Sequence, residues 1–180
     1  GMNINPRVRW VATTGVFLAL LLTLQAFTSF GGQVVTGSLV NLILAASVFG
    51  GGYWCAFAVA LLSPFCAFLL GVGPKLLPLI PFISLGNLAF ISLLSVIGRR
   101  DKLFERCGAV GFAAVLKFIV LWSTIVCLVI PSLGLPEPQM NALALTFSWP
   151  QVMTAMIGGC LAAAFYPMLN KLHRQRSIEM

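Results

Sequence analysis

The sequence predicts an all-α integral membrane protein, a six-transmembrane-helix bundle with both termini on the cytoplasmic side. Of the 180 residues, 59% are hydrophobic and 8% are charged, whereas a soluble domain has about 25% charged residues. Six apolar stretches each approach the roughly 20 residues that a membrane-spanning helix needs. The basic residues flank these stretches on what must be one side of the bundle.

Six helices of this length use about two thirds of the chain, so a single membrane domain over residues 2–180 is expected, with short loops. Gly1, which precedes Met2, is expected to be a scar left by a cleaved tag. A cleavable signal peptide is not expected. The first apolar stretch is too long for one, and no small-x-small site follows it.

Glycine and proline clusters set the predicted helix boundaries. Pro64 is expected to kink the third helix, and Pro81 suits the first turn of the fourth. Residues 99–106 are expected to form a charged turn. Loops are predicted at residues 30–37, 50–52, 71–78 and 131–139. The predicted spans are about residues 10–30, 38–49, 53–70, 79–97, 109–130 and 148–169.

The basic residues fix the predicted orientation. With six spans, the segments before helix one, between helices four and five, and after helix six share one side, which the positive-inside rule makes cytoplasmic. The opposite side has only Lys75. Nucleic-acid binding is not expected, because the charges flank helices and form no stripe with aromatic residues. The nine basic residues on the predicted cytoplasmic side are Arg7, Arg9, Arg99, Arg100, Lys102, Arg106, Lys171, Arg174 and Arg176.

The sequence argues against an enzyme. All four acidic residues lie outside the predicted spans, and the only histidine, His173, follows the last one. Membrane metalloenzymes need carboxylates or histidines to hold metal or move protons, so no catalytic residue, metal site or cofactor is predicted. The five cysteines show no metal or redox spacing. No GxxxxGK[ST] motif occurs, so energy for transport would come from partners.

The amides within the predicted spans all lie in the outer half of the bundle. They include Asn41, Asn87 and Gln151, and a fourth, Gln25, lies near the outer end of helix one. They either bond across helices and hold the bundle together, or line an outward-facing ligand cavity with a few converging polar groups. On the second interpretation, the predicted substrate-binding residues are Asn41, Asn87, Gln33, Lys75, Gln151, Ser84 and Trp149.

Three basic or aromatic residues have simpler alternative roles. Lys75 is either a ligand contact in a stiff loop or a solvated or headgroup-binding lysine. Trp149 either stacks on a ligand or belongs to the aromatic belt. Lys117 lies about 12 Å into helix five at 1.5 Å per residue and is expected to snorkel to the cytoplasmic interface, with a partner contact as the weaker alternative.

Small residues form ridges on the first and last helices. On helix one, Ala12, Gly15, Ala19 and Thr23 recur at spacings of three and four, mainly in the cytoplasmic half. Such ridges allow helices to approach closely, and they face either this chain or a partner protein. The ridge on helix six consists of Gly158, Gly159, Ala162 and Ala163.

With six spans in under 200 residues, the chain resembles the substrate-binding S component of an energy-coupling factor (ECF) transporter. The run Ala12-Thr-Thr-Gly15-Val-Phe-Leu-Ala19 is similar to the small-xxx-small motif by which S components dock on their partner. Further similarity to uncharacterised members lies in Gly37-Ser-Leu-Val-Asn41, Gly50-Gly-Gly52, Leu62-Ser-Pro64-Phe, Gly71-Val-Gly-Pro74 and Gly158-Gly-Cys-Leu-Ala162.

The resemblance implies a bacterial plasma-membrane subunit that binds a vitamin or related micronutrient in an outward-facing pocket, with the loop around Lys75 as a lid. A transmembrane T component, docked at Ala12, Gly15 and Ala19, and two ATPase subunits would then drive release inward. Where uncharacterised members have an acid in helix four, this chain has Asn87, which argues against a cationic substrate. No motif identifies the vitamin.

Two other functions fit a small membrane bundle. A scaffold of the MreD type, from the cell-shape machinery, would use the same ridges for partner helices and need no cavity. The outer clustering of amides argues against it. A passive channel would need a ring of charges or repeated carbonyl loops, which the sequence lacks.

Overall fold

A computed structural model describes residues 4–178, and over that range the chain contains helices and no strand. The expectation for Gly1 lies outside the described residues. The chain forms helices α1 (Pro6–Thr28), α2 (Gly32–Gly51), α3 (Tyr53–Leu69), α4 (Ile80–Ile97), α5 (Leu103–Leu121), α6 (Ile130–Ser132), α7 (Glu137–Thr146), α8 (Trp149–Ala164) and α9 (Tyr166–Ile178).

By length and apolar composition, three segments of the described chain are suited to cross a membrane: Pro6–Gly51, Leu77–Ile97 and Leu103–Ser132. A fourth results if Glu137–Ala164 and Tyr166–Ile178, which meet at 66°, form one broken span. The all-helical fold predicted from the sequence is therefore confirmed, with three or four such segments where six spans were predicted.

The first of these segments is a helical hairpin. It covers 46 residues, about 69 Å at 1.5 Å per residue, but α1 and α2 pack against each other. A 3₁₀ turn over Ser29–Gly31 separates them, and Gly32 follows with φ of 82°. Only glycine adopts this conformation at low cost, so the reversal depends on that residue.

Several predicted boundaries move. α2 begins at Gly32, so Gln33 and Gly37 are helical and do not lie in a loop. α5 begins at Leu103, because nothing between this residue and Arg106 breaks a helix. It passes into a π-helical segment, Trp122–Val129, directly before Pro131. Pro131 has no N–H for the carbonyl four residues earlier, which disturbs the α-helical ladder there.

The predicted loop after helix five is partly helical. Glu137–Thr146 forms α7, because Pro138 suits a first turn and the following alanines and leucines favour a helix. The predicted sixth helix breaks at Phe165. Pro167 cannot donate to the carbonyl of Ala163, and the guanidinium of Arg106 donates to it instead, with Nε at 3.1 Å.

α2 lies at the centre of the bundle and packs most extensively on α8. A Cβ added at Gly158 of α8 would collide with the backbone of Ser38 and Leu42, so the two helices touch at their main chains. Gly159 is equally close to Val110 of α5. The small residues of the last predicted helix therefore pack within this chain.

Arginines tie the helix ends together at one end of the bundle. Arg99 donates to the carbonyl of Val48 at 2.8 Å and to Asn170 Oδ1 at 3.1 Å. Arg176 donates to the carbonyl of Gly50 at 3.0 Å. Cations at helix C-termini satisfy free carbonyls and oppose the helix dipole. The segment between α4 and α5 and the helix α9 thus meet at the end of α2.

Candidate functional site

A cavity of about 330 Å³ opens at the end of the bundle opposite Arg99 and Arg176. This volume falls within the range of small-molecule sites. Seven helices and the loop before α4 contribute to its wall. The lining residues are Leu21, Gln25, Gln33, Thr36, Gly37, Val40, Asn41, Ser63, Pro64, Ala67, Gly73, Pro74, Ile80, Ile83, Asn87, Lys117, Leu121, Leu143, Thr146, Phe147 and Gln151.

Four of the seven predicted substrate-binding residues line this cavity. Asn41 and Asn87 are 2% and 3% exposed, and Gln151 is also buried. Gln33 is exposed, so the cavity reaches the surface beside it. The structure thus brings amides from α2, α4 and α8 to one space.

The other three predicted residues do not line it. Ser84 donates to the carbonyl of Leu61 at 2.9 Å, near the point where Pro64 interrupts the hydrogen bonds of α3. Serine hydroxyls commonly satisfy such carbonyls in membrane helices, so Ser84 supports α3. Lys75 is exposed, and Trp149 is 60% exposed.

Lys117 lies in the cavity wall and bonds to Asn41. Its Nζ donates to Asn41 Oδ1 at 2.8 Å, and Asn41 Nδ2 donates to the carbonyl of Gly37 at 2.8 Å. Asn41 Nδ2 also lies 3.5 Å from Thr154 Oγ1. Both polar ends of Asn41 are therefore used, which fixes its side chain.

The prediction that Lys117 snorkels to the cytoplasmic interface is wrong. The residue is 3% exposed, and its Nζ lies 5.8 Å from the centre of the Phe90 ring. The amide of Asn41 and the aromatic face offer contacts that compensate part of the loss of hydration. Sequence spacing within α5 does not reveal them, because Asn41 lies on another helix.

Two buried polar groups of the wall have no protein partner. The hydroxyl of Ser63 makes no hydrogen bond within the described chain, and the side chain of Asn87 makes none to another described residue either. A buried polar group without a partner costs about 1–3 kcal/mol. The Ser63 hydroxyl oxygen is closed off from the cavity, so the Asn87 amide is the group available to a bound molecule.

Two elements form the mouth of the cavity: the loop around Lys75, which the resemblance implied as a lid, and α7, which the sequence did not identify as part of a site. Gly73, with φ of 79°, lies against Gln25, since an added Cβ would be 2.6 Å from Gln25 Nε2. The loop around Lys75 thus packs on the outer end of α1 through Gly73. α7 contributes Leu143 and Thr146, and Phe147 follows the helix directly. The alanines and leucines of this segment were the sequence signal that could have predicted the helix.

The lining offers hydrogen bonds, apolar contacts and one charge. Among the lining residues, Lys117 is the only ionisable side chain. The described chain contains no group of three or more His, Cys, Asp or Glu side chains placed to hold a metal ion. The amides supply donors and acceptors in a largely apolar wall, which suits binding of a small organic molecule.

The predicted docking residues lie on the outside of the bundle. Ala12, Gly15 and Ala19 are exposed, and a Cβ added at Gly15 would meet no atom within 4 Å. This ridge therefore does not serve packing within the described chain, in contrast to Gly158.

Comparison of the chain with protein-family profiles, curated proteins and solved structures gives no match in any of the three.

Proposed function

We propose that this chain is a membrane subunit that binds a vitamin or related micronutrient, the S component of an ECF transporter. The observation that supports this most strongly is the cavity of about 330 Å³, in which amides of three helices converge. A binding subunit needs affinity and no chemistry, and the wall provides hydrogen-bonding groups in an apolar space.

The proposal includes six spans with both termini cytoplasmic. α1 and α2 form a hairpin, α3 is a 17-residue apolar helix, about 26 Å long, and α8 with the start of α9, over residues 148–169, is one broken span. Together with α4 and the segment from α5 to α6, these helices make six spans. The arginine-tied end would face the cytoplasm by the positive-inside rule, and the cavity would open outside.

The exposed small residues of α1 give the proposed contact with partners. Ala12, Gly15 and Ala19 form a shallow face on which another helix could approach closely. We propose that the transmembrane T component docks there and that two ATPase subunits supply the energy for inward release. The location would be the bacterial plasma membrane. An MreD-type scaffold would use the same face but has no need of the cavity.

A thermal-shift screen of the detergent-purified chain against vitamins and their precursors tests the binding function. A ligand present at about a hundred times its Kd adds about 2.7 kcal/mol to stability, which gives a clear rise in Tm. One strong hit supports a binding subunit. A flat response across the panel contradicts the proposal and favours the scaffold.

A further inference from the structure

Lys117 places an amino group in the cavity whose charge, when the group is protonated, no acidic side chain of the wall can balance. The lining contains no Asp or Glu, and the chain has only four acidic residues in total. Its one polar partner among the described residues is the neutral amide of Asn41, at 2.8 Å. An ammonium ion removed from water without a counter-ion is unfavourable by several kcal/mol.

This charge lies beside the polar groups that lack partners. Phe90, whose ring centre is 5.8 Å from Lys117 Nζ, follows Asn87 by three residues, and residues so spaced share a helix face. The free side chain of Asn87 lines the same cavity, whereas Ser63 lies in its wall with a buried hydroxyl oxygen. The amino group of Lys117, without an acidic partner, and the free amide of Asn87 therefore line one ligand-sized space.

We propose that the ligand of this cavity is a small organic monocarboxylate, whose carboxylate lies against the Nζ of Lys117. The inference rests on the proposed binding function and narrows its substrate class. A carboxylate would supply the missing counter-charge and a charge-assisted hydrogen bond, while neutral heteroatoms elsewhere in the ligand would bond to Asn87.

The wall favours one negative charge and an apolar body. A phosphate dianion would leave one of its charges unpaired in a space with a single cation, which is costly. The remainder of the lining is mainly aliphatic or aromatic, which suits a hydrocarbon chain or ring. These apolar residues include Leu21, Val40, Ile80, Ile83, Leu121 and Phe147.

The test compares acids with their neutral counterparts on the full chain in detergent. The probe pairs are nicotinate with nicotinamide, biotin with biotinamide, and pantothenate with pantothenol, measured by thermal shift and then by titration calorimetry. We expect an acid to bind at least tenfold more tightly than its neutral partner. Binding of a neutral compound equal to or stronger than that of its acid would overturn the carboxylate assignment and leave the binding function intact.

Lys117→Met supplies the matched variant, and Lys171→Met the control. Methionine is of similar length and flexible, and replacing a buried charge by an apolar side chain is often tolerated. We expect Lys117→Met to weaken acid binding about 10- to 100-fold and to leave the Tm without ligand within a few degrees. Lys171→Met, at an exposed position in α9 outside the wall, should bind as the wild type does.

The outcomes separate the two proposals. Unchanged acid binding by Lys117→Met assigns Lys117 to a structural role with Asn41 and overturns the inference. A wild-type chain that binds neither acids nor neutral compounds contradicts the binding function itself, and the inference with it.

Discussion

At the scale of single residues, the site depends on which polar groups the protein itself satisfies. Asn41 has both ends of its amide bonded within the chain, so it positions Lys117 and is not free for a ligand. Asn87 is buried in the same wall and has no such partner among the described residues. The two asparagines look alike in the sequence but have different roles.

Asn87→Leu should therefore weaken ligand binding without unfolding the protein. The substitution removes a group that has no hydrogen bond to lose and keeps a side chain of similar size. We expect Kd to rise about tenfold, equivalent to about 1.4 kcal/mol, as measured by titration calorimetry. Asn141→Leu is the control, since Asn141 is exposed and outside the wall; equal loss in both variants would contradict the role of Asn87.

The location of a residue in the bundle could be predicted from the sequence where position along a span was sufficient. The outer-half amides Asn41, Asn87 and Gln151 were predicted as a group because their depth follows from counting along each helix. The buried position of Lys117 could not be predicted, because it depends on an amide of a different helix, and the bond of Ser84 likewise depends on a carbonyl of α3. Such contacts have no signature in local spacing.

At the scale of helices, the approach of α8 to α2 positions Asn41. Gly158→Ala should destabilise the protein by about 1–3 kcal/mol, because the added methyl group meets the backbone atoms Ser38 O and Leu42 N, which cannot rotate away. Thermal unfolding in detergent measures this. Gly15→Ala, at a helical glycine with open space, should be neutral or slightly stabilising, and a similar loss in both would contradict the close approach.

A second element-level prediction concerns α9 at the arginine-tied end. Burial, with Arg99 and Arg176 nearby, lowers the pKa of His173. Because the folded pKa lies below the ordinary value of about 6.5, the unfolded chain binds the proton first as the pH falls. Stability should therefore decrease below about pH 6.5 and be unaffected by this group above it.

His173→Gln gives the control for that effect, because His173 is the only histidine of the chain. The difference in Tm between wild type and variant should change between pH 7.5 and pH 5.5, with the wild type losing more. A constant difference over this range would mean that His173 titrates alike in the folded and unfolded chain.

The elements themselves were predictable to different degrees. α3 and α4 lie close to their predicted bounds, because glycine and proline clusters delimit them. α7 was missed, since the three prolines at 131, 136 and 138 indicated a loop while the Met140–Leu145 run favours a helix. The break at Phe165 depends on Pro167 together with Arg106 of another helix, so its position required the tertiary structure.

At the scale of the whole molecule, the cavity and the exposed ridge of α1 are separate surfaces. The lining includes none of Ala12, Gly15 and Ala19. The double variant Gly15→Leu, Ala19→Leu should therefore lose co-purification with a T component and its ATPases while keeping ligand affinity. Gly108→Leu, at an exposed glycine of α5 with open space, should keep both. Loss of ligand binding in the double variant would contradict this separation.

The central claim is that the cavity binds a small molecule without help from any partner. Titration calorimetry of the purified chain with the hit of the vitamin panel, in wild type and Ala67→Trp, tests it directly. Ala67 lines the cavity and is 2% exposed, so an indole there would occupy the ligand space. Leu69→Trp, at a position 82% exposed, is the control.

We predict one ligand per chain for the wild type and the control without ATP, and no binding by a folded Ala67→Trp variant. Undiminished binding by Ala67→Trp, or none by the wild type, would contradict the account.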